Sequence, residues 1–140
     1  MDLQKAKEQL FGGDYTCVLC LDGKIATSTQ RGVKPLLTWL EAPALGKGFC
    51  AADKVVGKAT AYLYALLGAK AVYANIMSKS ALEVLDAMGI AASYGSLVPH
   101  IINRKGDGMC PMEAATLDVH TPEEALAAVK KKLTELDKKV

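Results

Sequence analysis

The chain is poor in the residues from which most recognisable sites are assembled. Its only two histidines, His100 and His120, stand apart from one another and from any cysteine pair, so a histidine-based metal site is not expected. Cys17-Val18-Leu19-Cys20 has zinc-like spacing, but residues three apart on a strand point to opposite faces and no second ligand pair follows. These cysteines are expected in the core, and neither metal nor cofactor is implied. No Walker loop, GxGxxG fingerprint or serine nucleophile elbow is present. Aromatic residues make up 6% of the chain and are not interleaved with the lysines, and the net charge is only +2. Nucleic-acid binding therefore ranks last among the readings. The longest apolar stretch, Ala59 to Gly68, is too short to span a bilayer. Met1 to Glu8 alternates charge without an apolar core, unlike a secretory leader, which makes the cytoplasm the expected compartment. There the four cysteines are expected as free thiols rather than a disulfide framework.

What is present fits one globular unit. With 140 residues, 51% apolar and 23% charged, the chain can bury one core and is expected to fold as a single domain, alone or as a small homo-oligomer. Much of the lysine excess falls in Lys130, Lys131, Lys132, Lys138 and Lys139, which read as a solvated face.

Local patterning gives an order of elements. Residues 2–11 read as a helix stopped by Gly12-Gly13, and residues 15–21 and 24–29 as strands joined through a two-residue Asp22-Gly23 turn. Pro35 opens a short amphipathic helix that must end before Pro43. A strand is expected at Gly48–Ala52, then Asp53 as N-cap of an almost wholly apolar helix from Lys54 to Leu67, stopped by Gly68. Strands follow at Ala71–Ile76 and Ile90–Tyr94, with a Ser80/Glu83 capping box opening the helix between them. Residues 95–110 read as loop, and Thr121-Pro122 caps a terminal helix running to about Asp137. Alternating strands and helices with buried strands imply an α/β fold: a mixed sheet, parallel in its second half and covered by helices, a three-layer α/β/α sandwich.

In such sheets ligands bind beyond the carboxyl ends of the strands. Three junctions there are unusually polar: Arg31-Gly32-Val33-Lys34-Pro35, Asp53-Lys54-Val55-Val56-Gly57-Lys58 and Ser78-Lys79-Ser80. Backbone N–H groups and several cations point to a small anionic ligand. Lys58 either snorkels to the helix edge or points into the site, and Asp53 and Ser80 have capping as an alternative role. The segment Gly106-Asp107-Gly108-Met109-Cys110-Pro111-Met112-Glu113 places a cysteine at the N-cap of a helix, where a thiol ionises more readily. Cys110 is a candidate nucleophile or ligand contact, with a half-buried packing role as the alternative. Glu113 suits either the helix dipole or acid–base work.

Three of these motifs, Arg31 to Leu37, Asp53 to Ala59 and Gly108 to Glu113, carry a resemblance, together with Leu97-Val98-Pro99 leading to Asn103-Arg104. Over about residues 5–128 the chain resembles an uncharacterised prokaryotic family, a domain of unknown function whose fold is similar to cytidine deaminases. Deaminases carry their zinc ligands and catalytic glutamate at places that here hold Arg31-Gly32-Val33 and Ala52-Asp53-Lys54-Val55. The resemblance therefore implies the fold and the location of a pocket without zinc-dependent deamination. Together with the polar junctions, the expectation is a metal-free protein binding a small anionic or nucleotide-like ligand, with Arg31, Gly32, Lys54, Ser78, Arg104 and Glu113 as binding residues. Cys110, Asp53 and Lys58 are the candidate catalytic groups, in a transferase or hydrolase. The alternative is a non-catalytic sensor or assembly module using the same pocket.

Overall fold

The computed structural model describes residues 2–103 and 105–138. Helix α1 (Asp2–Gly12) leads into an antiparallel hairpin, β1 (Cys17–Leu21) and β2 (Lys24–Ser28). Asp22 and Gly23 both take positive φ, 50° and 82°, the two-residue turn whose twist matches that of the flanking strands. The Asp2 carboxylate accepts hydrogen bonds from both turn N–H groups, at 2.9 and 3.2 Å, and so ties the first turn of α1 to the hairpin.

The chain continues through α2 (Lys34–Glu41), β3 (Cys50–Val56), α3 (Lys58–Leu67), β4 (Ala71–Ser78), α4 (Lys79–Ala87), β5 (Ala91–Val98), α5 (Pro111–Ala115) and α6 (Pro122–Lys138). The five strands lie in the order β2-β1-β3-β4-β5. β1 runs antiparallel to β2 and β3, while β3, β4 and β5 are mutually parallel, so the sheet is mixed and parallel in its second half.

Helices cover both faces. On one, Ala6 and Leu10 of α1 pack on Val18, Cys20, Ala52 and Tyr73. On the other, α3 lies at the centre of the larger core with Leu36 and Trp39 from α2, Leu85 from α4 and Val129 from α6. The apolar circumference of α3 follows from this position, with Ala59 to Tyr64 buried without interruption. Cys17 and Cys20 lie in opposite cores, as strand alternation requires.

The structure corrects several boundaries. Asp53 does not cap a helix; β3 runs on to Val56, Asp53 pairs with Cys17 on one side and Ala74 on the other, and α3 begins at Lys58 behind Gly57. Ladder partners on both flanks and the β-branched Val55-Val56 pair outweigh the helix-start signal of Asp53-Lys54. Alternation breaks here, with Lys54 and Val55 both exposed between buried Asp53 and Val56. β5 likewise continues past Tyr94 to Val98. It passes through Gly95, where a Cβ would stand 2.9 Å from the Asn75 carbonyl oxygen of β4. The N-cap of α4 is Ser78, whose hydroxyl accepts the Ala81 N–H at 3.1 Å, in place of the Ser80/Glu83 box.

Candidate functional site

Beside the carboxyl half of β3 lies a cavity of about 1090 Å³, walled by the turn into α2, the end of β3, the start of α3, the 101–113 segment and the inner side of α6. Arg31, Gly32, Asp53, Lys54, Cys110 and Glu113 all line it. Gly32 takes a positive φ of 66°, which lets the chain turn sharply into α2, whose N-cap Val33 supplies no side-chain acceptor. Thr16 roots the two cationic walls together: its carbonyl accepts the Lys54 N–H at 3.1 Å and its hydroxyl donates to the Gln30 carbonyl, beside Arg31. Lys34 and Lys105 add further positive charge, and Asp14 and Asp107 add two carboxylates to the lining. Among the described residues the one ion pair is Lys132–Glu135 on α6, so none of these cations is neutralised by a described carboxylate within salt-bridge distance.

Asp53 is the buried acid of the cavity wall, 7% exposed. Its Oδ2 accepts the Tyr64 hydroxyl at 2.7 Å and its Oδ1 the Val55 N–H at 3.3 Å; Cys17 Sγ stands 2.9 Å from the same tyrosine oxygen. Burial pushes the Asp53 carboxyl up to about 6, against the pull of the Tyr64 hydrogen bond. The same burial, reinforced by the Asp53 charge, holds Tyr64 and Cys17 well above their ordinary values. Asp53 is thus a group able to hold or release a proton near neutral pH, gripped by a donor from α3.

Glu113 is deeper still, 2% exposed. Its Oε1 accepts the Lys58 N–H at 2.8 Å and the Ser78 hydroxyl at 3.3 Å, and its Oε2 accepts the Ile101 N–H at 2.6 Å. One side chain of α5 therefore caps α3, braces the end of β4 and fastens the segment after β5. That segment is itself closed: Asn103 N–H donates to the Gly108 carbonyl and Cys110 N–H to the Ile101 carbonyl, both at 2.8 Å. Cys110 follows as the N-cap of α5. Its side chain makes no capping bond, and the helix behind it has only five residues. Its thiol is free and half-buried, on the cavity wall.

Two candidates lie elsewhere. Lys58 is the first residue of α3, and its Nζ donates to the Leu117 carbonyl at 2.9 Å. Ser78 is wholly buried as the cap of α4 and does not line the cavity. Arg104 lies outside the described residues. Sequence reasoning missed Tyr64, which reads as core on an apolar helix, and the aliphatic wall of Ile101, Ile102, Leu133 and Leu136. The amphipathic stripe of α6 was the available signal for the last two. Among the described residues no group of three or more His, Cys, Asp or Glu side chains is placed to hold a metal ion. No described helix is long and apolar enough to cross a membrane.

The model of the family described as "Domain of unknown function (DUF1893)" matches residues 5–133. The chain belongs to the DUF1893 family. Among solved structures it is similar to a DUF1893 family protein (TM1506) from Thermotoga maritima, with 27% sequence identity and a TM-score of 0.85. That alignment covers 94% of this chain and 89% of the Thermotoga chain. No curated protein matches the chain. The DUF1893 model spans the whole cavity wall except Leu136, so the turn into α2, the β3 end and the Cys110 loop all fall within the shared domain.

Proposed function

We propose that this DUF1893 protein binds a small organic anion in the cavity beside β3, with Arg31, Lys54 and the Gly32 turn meeting its charge, and Cys110 and Asp53 its body. The observation that supports the reading is the meeting of unneutralised cations, a buried titratable acid and a free half-buried thiol in one cavity. Lys58 and Ser78 take structural roles instead, since their polar atoms are engaged at Leu117 and at the α4 cap. Glu113 serves as the post that holds the Cys110 loop.

On this reading the protein is a metal-free relative of the cytidine-deaminase architecture acting in the cytoplasm, and its ligand is matched by charge rather than by zinc. As a transferase or hydrolase, it would use the Cys110 sulfur to bond an electrophilic carbon of the ligand. The thiol proton would pass to the departing group, and water or a second acceptor would then take the carbon from sulfur. As a sensor, the same pocket binds and nothing reacts.

Native and denaturing mass spectrometry of freshly purified protein, beside Cys110→Ala and the double variant Arg31→Glu/Lys54→Glu, tests both. An acidic small molecule carried by the wild type and absent from the charge-reversed variant supports the cavity reading. A covalent adduct absent from Cys110→Ala supports the enzyme. An acidic molecule carried equally by the charge-reversed variant contradicts the assignment of Arg31 and Lys54.

A further inference from the structure

The apolar part of the cavity wall is aliphatic. Val33, Val55, Ile101, Met112, Leu133 and Leu136 form most of its apolar lining, and no Phe, Tyr, Trp or His takes part. Nucleobases are commonly held by stacking on aromatic rings or guanidinium planes, because every base has a π-face and a ring partner contributes regardless of sequence. Among the described lining residues the Arg31 guanidinium is the one such plane, and it is the group that meets the ligand's charge; the branched aliphatic side chains and the methionine offer no ring to stack on. Such a wall suits a flexible hydrocarbon, which gains from each methylene removed from water and whose shape an adaptable methionine can follow.

Position points the same way. Thr16 joins the main chain of Lys54 to that of Gln30, the residue before Arg31, and Leu133 and Leu136 reach the same cavity from α6. A chain anchored by its acid at the cations would therefore lie along the aliphatic wall, in a volume of about 1090 Å³ that exceeds what a bare inorganic anion needs.

We propose that the ligand class is an aliphatic monocarboxylic acid, its carboxylate at Arg31 and Lys54 and its hydrocarbon chain against Ile101, Met112, Leu133 and Leu136. The inference rests on the cavity reading above and narrows it from any small organic anion to an acyl one.

Isothermal titration of the full chain with butanoate, hexanoate and octanoate, and with octylamine and adenosine monophosphate, tests it. Affinity should rise about fourfold per added methylene. Octylamine and the nucleotide should each bind at least tenfold more weakly than octanoate. Arg31→Glu/Lys54→Glu should lose octanoate binding by tenfold or more, while Leu133→Gln should flatten the chain-length series. Lys54→Gln, at an exposed position, should melt as wild type does and weaken octanoate binding by less than the double variant.

Nucleotide binding tighter than octanoate would overturn the acyl class and leave the cavity reading standing. Octylamine binding as tightly as octanoate would overturn the role of the cations in choosing the ligand. Absence of binding by every probe would overturn both readings for these ligands, and it is distinguished from the first two results by the flat nucleotide and amine titrations.

Discussion

Glu113 Oε1 accepts the main-chain N–H of Lys58 at 2.8 Å, joining a five-residue helix late in the chain to the first turn of the central helix α3. With Ile101 N–H on Oε2 and Ser78 on Oε1, this carboxyl group serves two main-chain donors that have no other acceptor among the described residues. Glu113→Ala leaves one buried and one half-buried N–H group unpaired and should lower stability by about 3 kcal/mol. Glu113→Gln, which keeps one acceptor oxygen, should cost less. Urea unfolding of the three proteins checks the ranking, and faster proteolysis within residues 99–110 of the alanine variant checks that the Cys110 loop is what the carboxyl group holds.

Gly57 is the N-cap of α3 and lies against the same carboxyl group. A Cβ there would stand 3.0 Å from Glu113 Oε1, which accepts the Lys58 N–H, and 3.1 Å from Cγ1 of Ile101, whose N–H donates to Glu113. Gly57→Ala should destabilise by about 1–2 kcal/mol, and combined with Glu113→Ala it should cost less than the sum of the two. A thermal-melt double-mutant cycle measures that coupling.

Asp53 gives a pH dependence of definite sign. Burial raises its folded value to about 6 from an ordinary 3.8, so between those values the folded state keeps a proton that the unfolded state has lost. Its contribution to stability is fully present below about pH 4, falls as pH rises and is lost above about pH 6, amounting to roughly 3 kcal/mol. Asp53→Asn keeps an oxygen for the Tyr64 hydroxyl and has no proton to lose. Relative to wild type, the variant should therefore gain stability as pH rises from 4 to 6 and hold a constant difference above that. Urea unfolding of both proteins from pH 4 to 7 measures the difference; a variant that loses stability relative to wild type as pH rises from 4 to 6 would refute the buried-acid account.

The four thiols should separate cleanly toward a neutral alkylating reagent. Cys17, Cys20 and Cys50 are buried, and burial raises the pKa of each. Iodoacetamide on the native protein should label Cys110 alone, whereas the urea-unfolded chain should take four labels. Peptide mapping reads the outcome directly.

Much of the fold is legible from local chemistry. Asp22-Gly23 could only be a tight hairpin turn, and Gly68, with a φ of 89°, ends α3 where its position after an apolar run places it. The alternation of later strands and helices fixes a parallel half-sheet. The boundaries that moved did so for non-local reasons. Asp53 and Lys54 look like a helix start until β1 and β4 supply a ladder on either side, and Gly95 looks like a strand end until the backbone of Asn75 is seen beside it.

The site divides in the same way. Arg31, Gly32, Asp53, Lys54, Cys110 and Glu113 carry chemistry visible in their residue types, but their meeting in one cavity depends on pairings between distant strands. Lys58 lies outside the cavity lining because β3 carries Lys54 on the sheet and leaves Lys58 to open α3, whereas a helix begun at Lys54 would set both lysines on one face.

The central claim is that the cavity holds an aliphatic carboxylate against Arg31 and Lys54 with Cys110 beside it. The most direct measurement is the rate of Cys110 alkylation by iodoacetamide in the presence and absence of saturating octanoate, for wild type and for Arg31→Glu/Lys54→Glu. The account expects octanoate to slow alkylation at least fivefold in wild type and to leave the variant unchanged. Equal rates with and without octanoate in wild type, or equal protection in both proteins, would contradict it.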